Sequence, residues 1–206
     1  MQAYPRIHRE APSAAHEGAL SPADREQRDR ELMLALRDGS TAALEALMAV
    51  YWAPLVRWAT RELGDEETAR DLIQETFVQV WQRRSRWSSK GSPRAYLFCI
   101  TRHLLIDERR KRKVRARWLL RSRRNEPRGP ATPADDLDAV RLWEAYQRAL
   151  AKLPERRREA FLLVYVQGLS HAEVAEVMRL SPQTVANQIV SAVRQLREGL
   201  GPLIDA

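Results

Sequence analysis

The apolar positions of this chain recur at helical spacing through most of its length. Leu32, Ala35 and Leu36 fall on one side of a short helix expected over residues 29–38, with Gly39 as its stop. Ser40 can cap a longer helix over residues 41 to about 63, where Leu44, Leu47, Met48, Tyr51, Leu55 and Trp58 keep the repeat. Pro54 interrupts that pattern and is expected to kink the helix or divide it. Tyr51 and Trp52 read first as core aromatics.

The next helix has the sharpest division between faces. Asp65 follows Gly64 and can cap it, with Glu66 and Glu67 in a first turn whose dipole favours acids. At about 100° per residue, Ala69, Ile73, Thr76, Phe77 and Val80 share one side. Asp71, Gln74, Glu75, Val78 and Gln82 gather opposite them. On spacing alone this polar face fits plain solvation before anything else.

Residues 83–93 read as a loop ending in a helix start, with Ser92 as cap and Pro93 at the first helical position. The helix expected over 94–117 carries Tyr96, Leu97, Ile100, Leu104 and Leu105 in its first half. Its second half, Asp107-Glu108-Arg109-Arg110-Lys111-Arg112-Lys113, is too charged to bury. Cys99 lies near the apolar stripe and is expected to be a buried, inert thiol. Taken alone, His103 reads as a surface or half-buried side chain. From about residue 114 to 136 the chain is basic, then rich in Pro and Gly, then acidic, which argues against one continuous helix. Trp118-Leu119-Leu120 either extend the preceding helix or dock on a partner.

The last third reads as four helices, over 137–151, from about 152 to 167, over 171–178 and over 182–199. In the first of these Leu142, Trp143, Tyr146 and Leu150 are the apolar positions. Ser170 with Glu173 makes a capping box, and Ala175 is small where two helices should cross. A short turn at Arg179-Leu180-Ser181 gives the pair 171–178 and 182–199 helix-turn-helix spacing. On the final helix Val185, Ile189, Ala192 and Leu196 form a narrow stripe. Opposite it lie Gln183, Asn187, Ser191, Arg194 and Arg197, side chains suited to base edges and phosphates in a major groove.

Charge sharpens this picture. The net charge is +8 and the pI about 10.2, which points to a polyanionic partner. Residues 102–128 hold twelve Lys and Arg against three acids, a net +9, so the remainder is near neutral. A basic helix end beside a loop with Trp87, Ser88 and Lys90 suits DNA, since the cations neutralise phosphates and a small polar loop can hold an unstacked base. One cysteine excludes an intrachain disulfide framework, and His8, His16, His103 and His171 are scattered without ligand spacing. No apolar run reaches the length of a membrane span, and the N-terminus has no apolar signal core. No phosphate-cradling glycine loop and no paired nucleophile and base occur. A cytoplasmic, non-enzymatic protein without metal or cofactor is expected.

The string Asp71-Leu72-Ile73-Gln74-Glu75-Thr76-Phe77, followed by Trp81, closely resembles the core-binding helix of bacterial RNA polymerase sigma factors of the extracytoplasmic-function (ECF) subfamily. The resemblance implies that Asp71, Gln74 and Glu75 dock on a coiled coil of the polymerase's largest subunit. Residues 87–112, in particular Arg102-His103-Leu104-Leu105-Ile106-Asp107-Glu108-Arg109-Arg110, resemble the loop and helix that recognise the −10 promoter element and capture a flipped base. Trp87, Ser88, Lys90, Arg102, His103, Arg109 and Arg110 are the implied contacts, with His103 standing where members often have Asn. Leu153-Pro154-Glu155-Arg156-Arg157-Arg158 with Gly168-Leu169-Ser170-His171-Ala172-Glu173-Val174-Ala175 looks like the family's second DNA-binding domain, which reads the −35 element. Gln183, Thr184, Asn187, Ser191, Arg194 and Arg197 are the contacts implied there. Where the family commonly shows Val-Lys-Ser-Arg this chain has Val185-Ala186-Asn187-Gln188, so a weaker phosphate grip and a different base preference are expected.

The expected architecture is all-α: an extension over 1–28, a first domain over 29–116, a flexible basic linker over 117–136 and a helix-turn-helix domain over 137–202. The implied function is promoter recognition, strand opening and transcription initiation on core RNA polymerase. The implied partners are core polymerase, promoter DNA and an anti-sigma factor, with no membrane insertion and a monomeric free state. A stand-alone helix-turn-helix regulator is the rival from another class, and it would not need the Asp71, Gln74, Glu75 face. An RNA-binding protein using the Arg-rich linker is a third.

Overall fold

The computed structural model describes residues 21–89, 91–120 and 137–204, and among these the regular structure is helical throughout. The elements are α1 (Pro22–Arg37), α2 (Thr41–Leu63), α3 (Glu66–Gln82), a 3-10 turn (Arg84–Arg86), α4 (Pro93–Leu120), α5 (Leu137–Lys152), α6 (Glu155–Tyr165), α7 (His171–Met178) and α8 (Pro182–Ile204). They belong to two compact units, Met1–Arg124 and Asn125–Ala206. Lys90 and the stretch 121–136, which holds the Pro/Gly-rich part of the expected linker, lie outside the described residues.

In the first unit α2 packs on α1, α3 and α4, and α3 and α4 pack on each other. Ser40 caps α2 through a 3.2 Å bond from the Ala43 amide, and Gly64, at φ 70°, closes it. That left-handed turn needs no Cβ, which is why glycine stands there. The helix runs on through Pro54 instead of dividing. Proline forfeits only one intrahelical bond, and Leu55 and Trp58 just beyond it are buried. The buried stripes of α2 and α3 mesh with Leu97, Phe98 and Ile100 of α4. Trp58 and Phe98 stack at 5.2 Å between centroids, and Trp52 and Phe77 at 6.2 Å. Thr76 and Thr101 meet across the α3–α4 contact at 3.4 Å, each bonded to its own helix four residues back, at Leu72 and Leu97.

Several expectations need correction. The first helix begins at Pro22, not near residue 29, because Ser21 caps it and Pro22 starts it. Its buried residues are Met33, Leu36 and Asp29. Asp29 accepts a hydrogen bond from the Tyr51 hydroxyl, and burial raises its pKa above 3.8 against that bond and nearby arginines. Cys99 is partly exposed, not buried. Helix α4 reaches Leu120, so the backbone of residues 118–120 extends it.

In the second unit α8 packs on α5, α6 and α7. Val185, Ile189, Ala192 and Leu196, the expected stripe, are all buried, as are Ala149 and Leu150 of α5, Ala160–Leu163 of α6, and Val174, Ala175, Val177 and Met178 of α7. Trp143, expected on the apolar side of α5, is 52% exposed and rests on Tyr146 at 5.6 Å. The α5 core positions are the smaller Ala145, Ala149 and Leu150, which let α8 approach closely: a Cβ on Gly199 would stand 3.4 Å from that of Ala149.

Candidate polymerase and DNA interfaces

Three surfaces carry the expected site residues. The first is the outer face of α3. Asp65 caps the helix, accepting from the Thr68 amide at 3.2 Å and from its hydroxyl, and these bonds lower the Asp65 pKa. With Ala69, Leu72, Ile73, Thr76, Phe77 and Val80 buried, helix geometry turns Asp71, Gln74 and Glu75 outward, and all three are exposed. Glu75 also accepts from Gln79 Nε2 at 3.0 Å. The face is thus a rigid polar strip, two acids and an amide, on a helix fixed from behind by an apolar core.

The second surface is the loop before α4 and the helix itself. Ser92 caps α4 through the Ala95 amide at 3.2 Å. The loop is held at several points. The Ser88 carbonyl accepts from the Gly91 amide at 3.0 Å, and Arg30 of α1 donates to the Ser89 carbonyl while pairing with Glu26 at 2.6 Å. Ser88 is exposed, Arg102 is half-buried, and His103 is exposed with its Nδ1 3.9 Å from the Cys99 sulfur.

Two of the expected DNA contacts are placed differently. Trp87 is only 4% exposed, its Nε1 buried without a hydrogen-bond partner, so the ring anchors the loop instead of standing at its surface. Arg109 pairs with Glu62, and neighbouring Arg112 donates to the Leu63 carbonyl at 2.7 Å and lies 3.5 Å from Asp65 and 3.4 Å from Glu108. These cations tie α4 to the turn between α2 and α3. Arg110 remains exposed, 3.7 Å from Asp107, and Lys111, Lys113 and Arg115 are exposed as well. The run of charges does not show which members turn inward; Glu62 and Asp65, flanking the preceding turn, were the available signal.

The third surface is the helix-turn-helix of α7 and α8. Both halves of the Ser170/Glu173 capping box form, at 3.2 Å and 2.8 Å. Arg179 takes a left-handed conformation, φ 55°, which sets the tight turn into α8. Ser181 then receives the Thr184 amide at 3.1 Å. Gln183, Asn187, Arg194 and Arg197 are exposed, and Thr184 and Ser191 half-buried at the edge of the same face. Gln183 donates to Asn187 at 3.1 Å, which orients the two amides together. Val190, 69% exposed, stands on this face three residues after Asn187 and four before Arg194. It was missed in the sequence, although a valine off the apolar stripe was the signal. An exposed valine among amides and Arg suits a groove that presents thymine methyls beside hydrogen-bonding edges.

Among the described residues no helix is long and apolar enough to cross a membrane, and no cluster of His, Cys, Asp and Glu could hold a metal ion. Residues 47–115 match the family model for sigma-70 region 2, and residues 143–196 that for sigma-70 region 4. The chain is 32% identical over 164 residues to the ECF RNA polymerase sigma factor SigL of Mycobacterium tuberculosis, covering 77% of this chain and 92% of that one. It is 32% identical over 176 residues to SigF of Caulobacter vibrioides, covering 85% and 95%. Among solved structures, CnrH in complex with the cytosolic domain of CnrY is 28% identical, with a TM-score of 0.60 over 85% of this chain and 98% of that chain. RpoE of Bartonella quintana, solved with the anti-sigma factor NepR, shares the fold at a TM-score of 0.51 and 22% identity. Two sigma-70 regions in the expected order, and relatives matched over nearly their full length, make the chain a member of the ECF sigma factors of RNA polymerase, a non-enzymatic initiation factor that binds core polymerase and directs promoter recognition.

Proposed function

We propose the following division of labour within this sigma factor. Asp71, Gln74 and Glu75 on α3 dock on core polymerase. Ser88, Lys90, Arg102, His103 and Arg110 contact the −10 element, while Trp87 and Arg109 hold the loop and helix that present them. Gln183, Thr184, Asn187, Ser191, Arg194 and Arg197 grip the −35 element, with Val190 offering an apolar surface to a thymine methyl. The observation that carries this reading is the outward display of the α3 acids on a helix whose other face is fully buried. A stand-alone regulator has no use for that display.

The domain limits follow the same reading, with a polymerase- and −10-binding unit running to the end of α4 at Leu120, past the expected limit near residue 116, and a −35-binding unit from 137. CnrH was solved with the cytosolic domain of CnrY and RpoE with the anti-sigma factor NepR, and this chain is read as working with an anti-sigma factor of its own. It acts in the cytoplasm and is monomeric when free.

The test is promoter use by holoenzyme assembled from core polymerase and the full chain. A promoter is first selected by the wild-type holoenzyme from DNA randomised in its upstream element. Arg194→Ala is expected to lower run-off transcription from that promoter without lowering capture of core polymerase. Undiminished transcription in Arg194→Ala and Asn187→Ala alike would remove α8 from the promoter.

A further inference from the structure

The α8 reading face has an electrostatic gap. From Pro182 to Val193 the helix carries no charged side chain, and its first cation is Arg194. Yet the grip of a protein on duplex DNA comes mainly from cations placed against phosphates. A recognition helix that is neutral through its first half therefore needs positive charge there from a neighbouring element.

Arg157, in the first turn of α6, is placed to supply it. Its Nε donates to Gln188 Oε1 at 3.3 Å, and its NH1 to Gln195 Oε1 at 2.9 Å. The two glutamines stand seven residues apart, on one line along α8. At about 100° per residue that line runs beside Thr184 and Ser191, along one flank of the face that carries Gln183, Asn187 and Arg194. The guanidinium thus lies along the recognition helix, oriented by two neutral acceptors. A carboxylate in either place would have cancelled the charge, whereas an amide fixes the fork and leaves its charge intact. Arg157 is half-buried and Gln195 is exposed, so the group sits at the surface and its remaining N–H donors can reach an outside acceptor.

We propose that Arg157, seated on Gln188 and Gln195, is a phosphate-binding residue of the promoter-bound state, supplying from α6 the positive charge that the first half of α8 lacks. Gln188 and Gln195 act as positioning residues, each using its carbonyl oxygen to hold Arg157. This rests on the reading that α8 lies against the −35 element.

The experiment measures holoenzyme binding to the selected promoter across a salt series, with wild type, Arg157→Gln, Arg157→Lys and Arg194→Ala. Loss of one phosphate contact lowers the slope of log K against log[salt] by about 0.9. Arg157→Gln is expected to show that change, so its affinity falls about threefold less than wild type's between 50 and 200 mM salt. The loss should be equal on promoters differing in −35 sequence, and Arg157→Lys should keep the wild-type slope. A wild-type slope in Arg157→Gln overturns the proposal and leaves Arg157 a tether between α6 and α8, detectable as a lowered melting temperature alone. If Arg194→Ala also binds as wild type does, the placement of α8 on DNA has failed and the inference falls with it.

Discussion

Helix α3 offers a test in which two faces of one element give opposite results. On the inner face, Phe77 is fully buried and stacked on Trp52. Phe77→Ala removes an aromatic ring from a packed core, a change that costs about 3–5 kcal/mol. For a unit of this size each kcal/mol lowers Tm by roughly 4–8 °C, so a fall of more than about 12 °C is expected. On the outer face, Asp71→Ala with Glu75→Ala removes two exposed carboxylates, of which Glu75 accepts a bond from Gln79 along the helix. Such a pair contributes about 0.2–0.5 kcal/mol, and the higher helix propensity of alanine offsets part of the loss. The double variant should melt within about 3 °C of wild type.

Binding should show the reverse order. A charge lost from a buried interfacial pair costs about 2–5 kcal/mol, so core polymerase affinity should fall by at least about 30-fold in the double variant. Phe77→Ala, assayed well below its own Tm, should capture core polymerase as wild type does. The assays are thermal melting of the full chain and capture of core polymerase by tagged protein. A double variant that melts as low as Phe77→Ala would show that the acids are structural. A folded double variant with wild-type capture would show that the docking face lies elsewhere.

Two further outcomes follow from single contacts. Ser170→Ala removes the hydroxyl from the capping box of α7 and should lower the stability of the second unit by about 1 kcal/mol, read by urea melting of the full chain. An unchanged midpoint would show that Glu173 alone suffices to hold the helix start. For Asp29, burial raises the folded pKa above the 3.8 of the free side chain, so the native state holds the proton more tightly than the unfolded chain. Its contribution is therefore fully present below about 3.8 and is lost as pH rises through the folded pKa. Asp29→Asn keeps an acceptor for Tyr51 and does not titrate. The stability of wild type relative to this variant, from urea melts at successive pH values, should fall across that window; a rise would refute the sign.

Much of the local structure was legible without coordinates, because caps and stripes act over three or four residues. Ser40, Asp65 and Ser170 mark helix starts wherever the next turn needs acceptors, and Val185, Ile189, Ala192 and Leu196 can share a side only on a helix. The missed start of α1 had the same kind of signal, Ser21 followed by Pro22, but few large apolar residues reinforced it. The 71–77 and helix-turn-helix strings were equally local. The destination of long side chains across the fold was not. Arg109 and Arg112 sit in an unbroken run of cations, and the sequence treats them like Arg110. Only packing of α4 against α2 brings Glu62 and the Leu63 carbonyl, 49 residues from Arg112, within their reach. Trp87 reads as a loop residue, and the fold turns it inward because a large ring gains more from burial than from solvent. Arg157 meets Gln188 and Gln195 across 31 and 38 residues, a pairing that no periodicity encodes. Sequence determined the helices and their faces through short-range sterics and capping, whereas tertiary structure decided which cations stabilise the fold and which stay exposed, since that depends on partners distant along the chain.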